Sequence, residues 1–460
     1  MRVRARLLAA AASLMALVLA AGGCAFGGGS AGDSDSFSIY IAEPNTLLPG
    51  DSNETNSAKV LDALFTGLVE YAPKTGEAQF AVAKSITSKD QRTWTIRLKK
   101  GWTFHNGEPV TAQSFARAWS AAAYGPNGWH NNAFFANIKG YDALNPSDPD
   151  GDGPKEAPKP STDKLSGLDV VGDRTLEVTL KEPFSQFPMT LGYNAFYPLP
   201  KAAFKEGFDK FDDEPIGDGP YKMAGGWRHD EAIRLTRYNR YGGAHKAYIR
   251  DLTFKIYDNI NTAYNDLLAG NLDIMPLLPT QRIKDAQQTF DDHYIQRPSS
   301  VFQFIGFPMF DDAMKNRKLR YAISMAINRK KIIKAVFYGT YRPARSLVSP
   351  AVPGSRPDPC GQHCRFDPKK AKQLFKEAGG YDGTLYLWYN SDGPYEAWME
   401  AIANQLKKNL GVDVRFKISP SLSDLVDTLY KHKANGPFRL AWVMDYPSPQ
   451  DYLEPLYTSD

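Results

Sequence analysis

The sequence predicts an α/β protein built from more than one lobe, and three observations carry that expectation. A chain of 460 residues exceeds what one hydrophobic core normally organises. Strand-like and helix-like segments alternate through most of its length. Towards the C-terminal end the alternation becomes regular: "GTLYLWYN", "EAWMEAIANQLKKNLG", "VDVRFKI", "LSDLVDTLYKH" and "FRLAWVM" read strand, helix, strand, helix, strand. That order belongs to a parallel sheet with crossover helices. Hydrophobic and charged contents of 42% and 23% fit an ordinary folded protein, and aromatics at 12% read first as core.

The first residues stand apart from the fold. Arg2, Arg4 and Arg6 precede an apolar run from Leu7 to Ala21, and small residues lead to Cys24. This is the layout of an export signal, expected over residues 1–23. A cysteine directly after small residues resembles the lipobox of bacterial lipoproteins, where Cys24 is acylated and becomes the new N-terminus. Ala21 stands where leucine is more usual, and a plain secretory signal is the alternative. Residues 24–37, rich in Gly and Ser, read as a flexible tether. Removing the signal takes away three arginines and no acid, so the formal charge falls from +4 to +1. A nearly neutral mature chain gives no argument for nucleic acid as a partner. No second apolar run of about 18 residues is present, so no other segment is expected to span a membrane.

Along the body, "AKVLDALFTGLVEY" places Val60, Leu61, Leu64, Phe65 and Leu68 on one helical face. "RTWTIRLKKG" alternates Trp94, Ile96 and Leu98, and "RTLEVTLKEP" alternates Leu176, Val178 and Leu180, as half-buried strands do. In "GWTFHNGEPVTA" His105 adjoins an Asn-Gly turn and fits a hairpin. Asn145 to Thr162 is a polar insertion whose Asp148, Asp150, Asp152 and Gly153 imitate a calcium loop. Its twelfth position is Lys159, where a bidentate Glu is required, so a solvated loop is expected. "NRKLRYAISMAINRKKIIKAVFYG" reads as one helix with Leu319, Ile323, Ala326 and Ile327 inward and Gly339 as its stop. In "FDPKKAKQLFKEAGG" Asp367 caps, Pro368 takes the first turn and Gly379 ends the helix. Trp398, Ile402 and Leu406 face inward in the regular block.

Cys360 and Cys364 stand four apart in the turn-rich "DPCGQHCRFDP". A disulfide is the leading expectation in an exported protein. The alternative, a metal site, needs His363 and a distant fourth ligand besides. No metal and no cofactor are expected. Catalytic signatures are missing too: no G-x-S-x-G, H-E-x-x-H, phosphate-cradling loop or dinucleotide fingerprint occurs, and "IGDGPY" reads as a turn. The seven histidines are scattered singly. Binding therefore leads over catalysis. Its clearest pointer is Asp445, which closes the apolar run "FRLAWVM". A buried unpaired charge costs several kcal/mol, so this carboxylate needs a partner, structural or arriving as ligand. In an open α/β sheet, ligands meet the carboxyl ends of strands, where Asp445 falls.

With these segments placed, the chain resembles the extracytoplasmic solute-binding proteins of family 5, the peptide and oligopeptide receptors of ABC importers. The resemblance rests on stretches in one order: "EPNTLLP", "LFTGLVEY", "GWTFHNGEPVTAQSFARAW", "IGDGPYKM", "AGNLDIM", "NRKLRYAISMAINRKKI", "FDPKKAKQLFKEAG" and "WVMDYPSPQDYLEPLY". It implies a two-lobed periplasmic-binding-protein clamshell with an extra domain on lobe one. Residues 38–71 and 193–297 would form lobe one, 72–192 the added domain and 298–460 lobe two. In the family the chain then returns to lobe one; this sequence stops at Asp460, which departs from the pattern and reads as a truncated chain.

The resemblance further implies that Asp445 pairs with a peptide's α-ammonium. Main-chain groups near Trp442 and Val443, and from Glu43 through Asn45 to Thr46, would run beside the peptide backbone, a β-strand addition that is permissive of side chains. Tyr389 and Asn390 end a strand on the same sheet edge and are expected to line the pocket. Some dipeptide-selective receptors hold the ligand carboxylate with an arginine just after that strand; "LWYNSDGPYEAW" has none, which favours longer peptides. The implied partners are a membrane permease and an ATPase, with a lipid on Cys24 anchoring a monomer to the outside of the cell membrane. Other readings stay open at this point: the same scaffold binding a sugar, opine or metal chelate, an exported hydrolase, or a sensor that does not import.

Overall fold

The computed structural model describes residues 35–148 and 157–458. The signal, Cys24, most of the tether and the centre of the calcium-like loop lie outside them.

Three four-stranded sheets and one hairpin organise the described residues. In the first sheet Ser36–Ile41 lies parallel to Asp251–Ile256, which pairs antiparallel with Ala232–Arg237 and through it with Tyr221–Met223. The second is antiparallel throughout, in the order Ala83–Ser88, Thr93–Leu98, Thr175–Thr179, Leu168–Val170. Its period-two pattern holds: Trp94, Ile96, Leu98, Leu176 and Val178 are all buried. The hairpin Val69–Tyr71 with Ala78–Phe80 adjoins it.

The third sheet contains the predicted β-α-β-α-β unit. Thr384–Asn390, helix Glu396–Leu410, Asp413–Ser419, helix Leu422–Tyr430 and Phe438–Trp442 follow in that order. Thr384–Asn390 is central, with Asp413–Ser419 parallel on one side and Phe438–Trp442 parallel on the other. Phe302–Gly306 completes the sheet, antiparallel to Phe438–Trp442. The two crossovers carry the chain in opposite directions, so the switch in strand order falls between Thr384–Asn390 and Phe438–Trp442.

Packing divides the molecule. One continuous core runs from Ile41 to Ile256 and joins the first sheet, the hairpin and the second sheet. A second core, from Ile283 to Val414, belongs to the third sheet and its helices.

Two segments read as single helices are interrupted. The helix Thr55–Leu64 stops before Phe65 and Leu68, which are buried in extended chain. The reason is a clasp that the sequence distributes over distant motifs. Gly219 N–H donates to Leu64 O at 2.8 Å, and a Cβ on Gly217 would lie 1.8 Å from that carbonyl oxygen, so only glycine lets this segment meet the helix end. His105 Nδ1 accepts from Gly217 N–H and its Nε2 meets Gly219 O, both at 3.2 Å, which assigns the Nε2–H tautomer. Burial pushes the imidazole down to about 4, so it stays neutral. Asp218 accepts the Thr66 N–H at 2.9 Å, and burial pushes its carboxyl up to about 8. The second interruption divides Arg317–Ala326 from Arg329–Val336, because Asn328 accepts from Lys331 N–H and starts a new helix. Asp367 caps Pro368–Glu377 as expected, accepting from Lys370 N–H at 2.9 Å. A disulfide joins Cys360 and Cys364, with Cα atoms 5.6 Å apart.

Candidate functional site

Asp445 follows the strand Phe438–Trp442 by three residues and is half-buried. Its carboxyl faces that of Asp451, from the first turn of helix Pro449–Tyr457. Asp451 is 1% exposed; its Oδ2 accepts from Trp442 Nε1 at 3.1 Å and from Asp445 N–H at 3.0 Å, while its Oδ1 has no donor. Burial, together with the opposing acid, holds the Asp445 carboxyl well above the usual range, and burial raises Asp451 as well. Among the described residues no Lys, Arg or His forms an ion pair with either acid. Two carboxylates without a cation are unstable as a dianion, so this corner accommodates a positive charge or a proton.

The strand leading to this corner has one open edge. All five of its residues pair with Phe302–Gly306, but towards Thr384–Asn390 the ladder holds only the Trp388–Phe438 pair. Beyond that pair the described residues place no strand against the edge that ends at Trp442 and Val443.

At the other end of the strand sits a buried cation that sequence reasoning missed. Arg439 is 3% exposed, and its guanidinium carbon stands 3.3 Å from the Tyr395 ring centroid. Arg439 Nη1 donates to Asn390 Oδ1 at 3.0 Å, while Nε has no acceptor. No carboxylate lies within ion-pair distance of it among the described residues; Asp392, bonded through its side chain to Asn390, acts on it through its charge. Asn390, 1% exposed, therefore orients Arg439 rather than presenting its own amide. The arginine absent from "LWYNSDGPYEAW" is thus brought to the end of that strand from Phe438–Trp442.

The facing wall comes from the first core. Tyr71 and Tyr193 lie near both acids, but their hydroxyls donate elsewhere, to Met189 O at 2.5 Å and Asn131 Oδ1 at 3.1 Å. Tyr40 OH reaches Asp392 O at 3.5 Å, and the His130 and Tyr430 rings meet at 5.4 Å, so the two lobes touch across the cleft. A cavity of about 260 Å³ remains between Asn45, Asn53 and His130 on one side and Leu422 and Asp427 on the other.

Of the residues expected to line the site, Asp445, Trp442 and Val443 share one edge. Asn45 borders the small cavity, yet its Oδ1 accepts from Ser57 Oγ at 2.8 Å. Glu43 is held by His229 Nδ1 at 2.8 Å and Asp230 N–H at 3.1 Å. Thr46, 3% exposed, donates to Asp212 at 2.9 Å. The side chains of this segment fasten it in place. Tyr389 turns the other way, into the second core against Phe416. A larger trough, about 2290 Å³ and mostly apolar, lies between one face of the third sheet, at Phe304, Phe438 and Leu440, and the segment Leu272–Met275; neither acid nor Arg439 borders it.

Two α/β lobes, one carrying an extra antiparallel domain, and a cleft with a switch point and a free strand edge define a two-lobed binding protein. The chain belongs to the bacterial extracellular solute-binding proteins of family 5: residues 77–460 match "Bacterial extracellular solute-binding proteins, family 5 Middle". It is a solute-binding protein, not an enzyme. It is 29% identical to the oligopeptide-binding protein OppA of Bacillus subtilis, over 96% of this chain and 82% of that protein. It superposes on the murein tripeptide binding protein MppA of Escherichia coli with a TM-score of 0.80 at 25% identity, covering 91% of this chain and 81% of that one. Against the unliganded open form of MppA, again at 25% identity and covering 93% and 82%, the TM-score is 0.62. The lobes here are thus arranged less like that open form.

Proposed function

We propose that this protein captures peptides outside the cell and delivers them to a membrane permease driven by an ATPase. One observation carries the reading: an acid corner and a buried guanidinium terminate a strand with an unpaired edge. A zwitterionic extended chain matches that pattern, with its ammonium at Asp445, its carboxylate towards Arg439 and its backbone along Trp442 and Val443. Six positions separate Asp445 from Arg439, at most about 20 Å of extended chain. Peptides of up to roughly six residues can engage both ends; longer ones must give up one. A sugar or a metal chelate leaves one or both charged ends unused. The relatives named for peptides support the same reading.

In this reading residues 38–71 and 193–297 are lobe one, 72–192 the added domain and 298–460 lobe two, with the ligand bridging the lobes and stabilising closure. Cys24 carries the lipid that holds a monomeric receptor at the membrane. Denaturing extraction of purified protein followed by mass spectrometry tests the central claim. Mixed peptides of a few residues are expected; a single non-peptide species overturns it.

A further inference from the structure

We propose that Asp451 is a second acid of the ammonium subsite, that it shares one proton with Asp445 in the empty receptor, and that an incoming ammonium displaces this proton. The proposal rests on the peptide reading above for the identity of the cation.

The geometry leads here from three sides. The two carboxyls face each other within hydrogen-bonding reach, Asp451 is almost wholly buried, and its Oδ1 lacks any donor. A proton held between the two acids supplies the missing donor. Trp442 Nε1 and Asp445 N–H already occupy Oδ2, fixing the carboxyl plane so that Oδ1 is the atom left for the partner. The groups packed around the pair cannot neutralise it. From the opposite wall come Tyr71 and Tyr193, whose hydroxyls donate to Met189 O and Asn131 Oδ1. From the same lobe come Tyr446 and Tyr452, the latter donating to Ser300 O, and Glu454 adds only negative charge. Burial holds all four phenols above their ordinary range, so none ionises near neutrality.

The exchange balances. The empty corner holds two carboxyls and one proton, net charge −1. When an ammonium binds, both carboxylates are ionised, the corner with its ligand again carries −1, and one proton leaves to solvent. Affinity therefore rises with pH, about tenfold per unit, until the pair no longer holds its proton. An isolated carboxylate, with a reference value of about 4, would be ionised throughout the range from about pH 5 to 8 and show no such slope.

Asp451→Asn separates the roles, since an amide oxygen can still accept from Trp442 and from the Asp445 main chain. The probes are a tryptic digest of casein and the same digest N-acetylated, added to weakly buffered ligand-free receptor at about pH 6, with binding followed by tryptophan fluorescence and protons by pH electrode. Infrared difference spectra of the empty protein report the protonated carboxyl. The expected result is close to one proton released per free-amino peptide bound by the native protein, and a protonated-acid band; in Asp451→Asn, where burial alone still raises Asp445, release falls to less than half and affinity varies correspondingly less with pH. Peptide binding without proton release, or release that is undiminished in Asp451→Asn, overturns the shared proton while leaving peptide capture intact. A digest that does not bind at all overturns the peptide reading and the displacement with it.

Discussion

If Asp445 holds the ligand's ammonium, changing either partner should remove one and the same interaction. Truncating one member of a desolvated, hydrogen-bonded charge pair costs about 2–5 kcal/mol. The structure places Asp445→Asn towards the lower end of that range. Asp445 is only half-buried, and Asp451 remains behind it as a second acid. A loss of about 2–3 kcal/mol, roughly 30- to 150-fold in Kd, is therefore expected. N-acetylating the peptide should cost at least as much, because the acid corner then faces an amide. Combined, the two changes should cost little more than acetylation alone, giving a coupling of about 1.5 kcal/mol or more. Isothermal titration with one synthetic peptide, taken from those that co-purify, fills all four corners of the cycle. Additive losses, or an acetylated peptide that binds the native receptor as tightly as the free one, would refute the pairing.

Three further expectations test the rest of the site and its support. Arg439→Met should weaken peptides with a free carboxylate about tenfold or more and leave C-terminally amidated peptides unchanged, by the same titration; equal losses would assign Arg439 to packing. Asp218 is a carboxyl whose folded value is raised to about 8, so the stability it affects declines as pH rises from its unfolded value towards that point. Asp218→Asn keeps an acceptor for Thr66 N–H and should flatten this decline, so that its thermal midpoint gains on the native one between about pH 5 and pH 8; parallel curves would show that Asp218 does not ionise there. Gly217→Ala drives a methyl group into Leu64 O and should cost about 1–3 kcal/mol in urea unfolding, whereas an unshifted midpoint would mean that the helix end yields freely.

Much of lobe two was legible in the sequence because its signals are local. Asp367, Pro368 and Gly379 write out a helix within one stretch, and the alternating strands between Gly383 and Met444 announce a parallel sheet. Asp445 was legible for the same reason: a charge at the end of an apolar run poses a question by itself. Arg439 offered a similar signal, one cation inside that run, but its partners Asn390 and Tyr395 lie more than forty positions earlier and meet it only in the folded sheet. Asp451 reads as an ordinary first-turn acid of a helix, and its burial against Trp442 has no sequence signature. The early stop of Thr55–Leu64 was hidden for a related reason. Its cause lies in Gly217, Gly219 and His105, while the apolar spacing alone continues through Leu68.

The pairing of Ser36–Ile41 with Asp251–Ile256 has a consequence for the order in which the molecule is made. Partners in that ladder are 215 positions apart, as Ser36 and Asp251 show. A chain emerging from its N-terminal end carries this strand with both edges unsatisfied until more than half the sequence has appeared, since its other edge meets Ile274. The second core, by contrast, is drawn from one continuous stretch between Ile283 and Val414 and can form as soon as that stretch is available. Non-local parallel pairing is slow and exposes strand edges to wrong partners. The first sheet is therefore the step at which a nascent receptor is most open to misassembly, and a chaperone that shields Ser36–Ile41 would act before the site has come into existence.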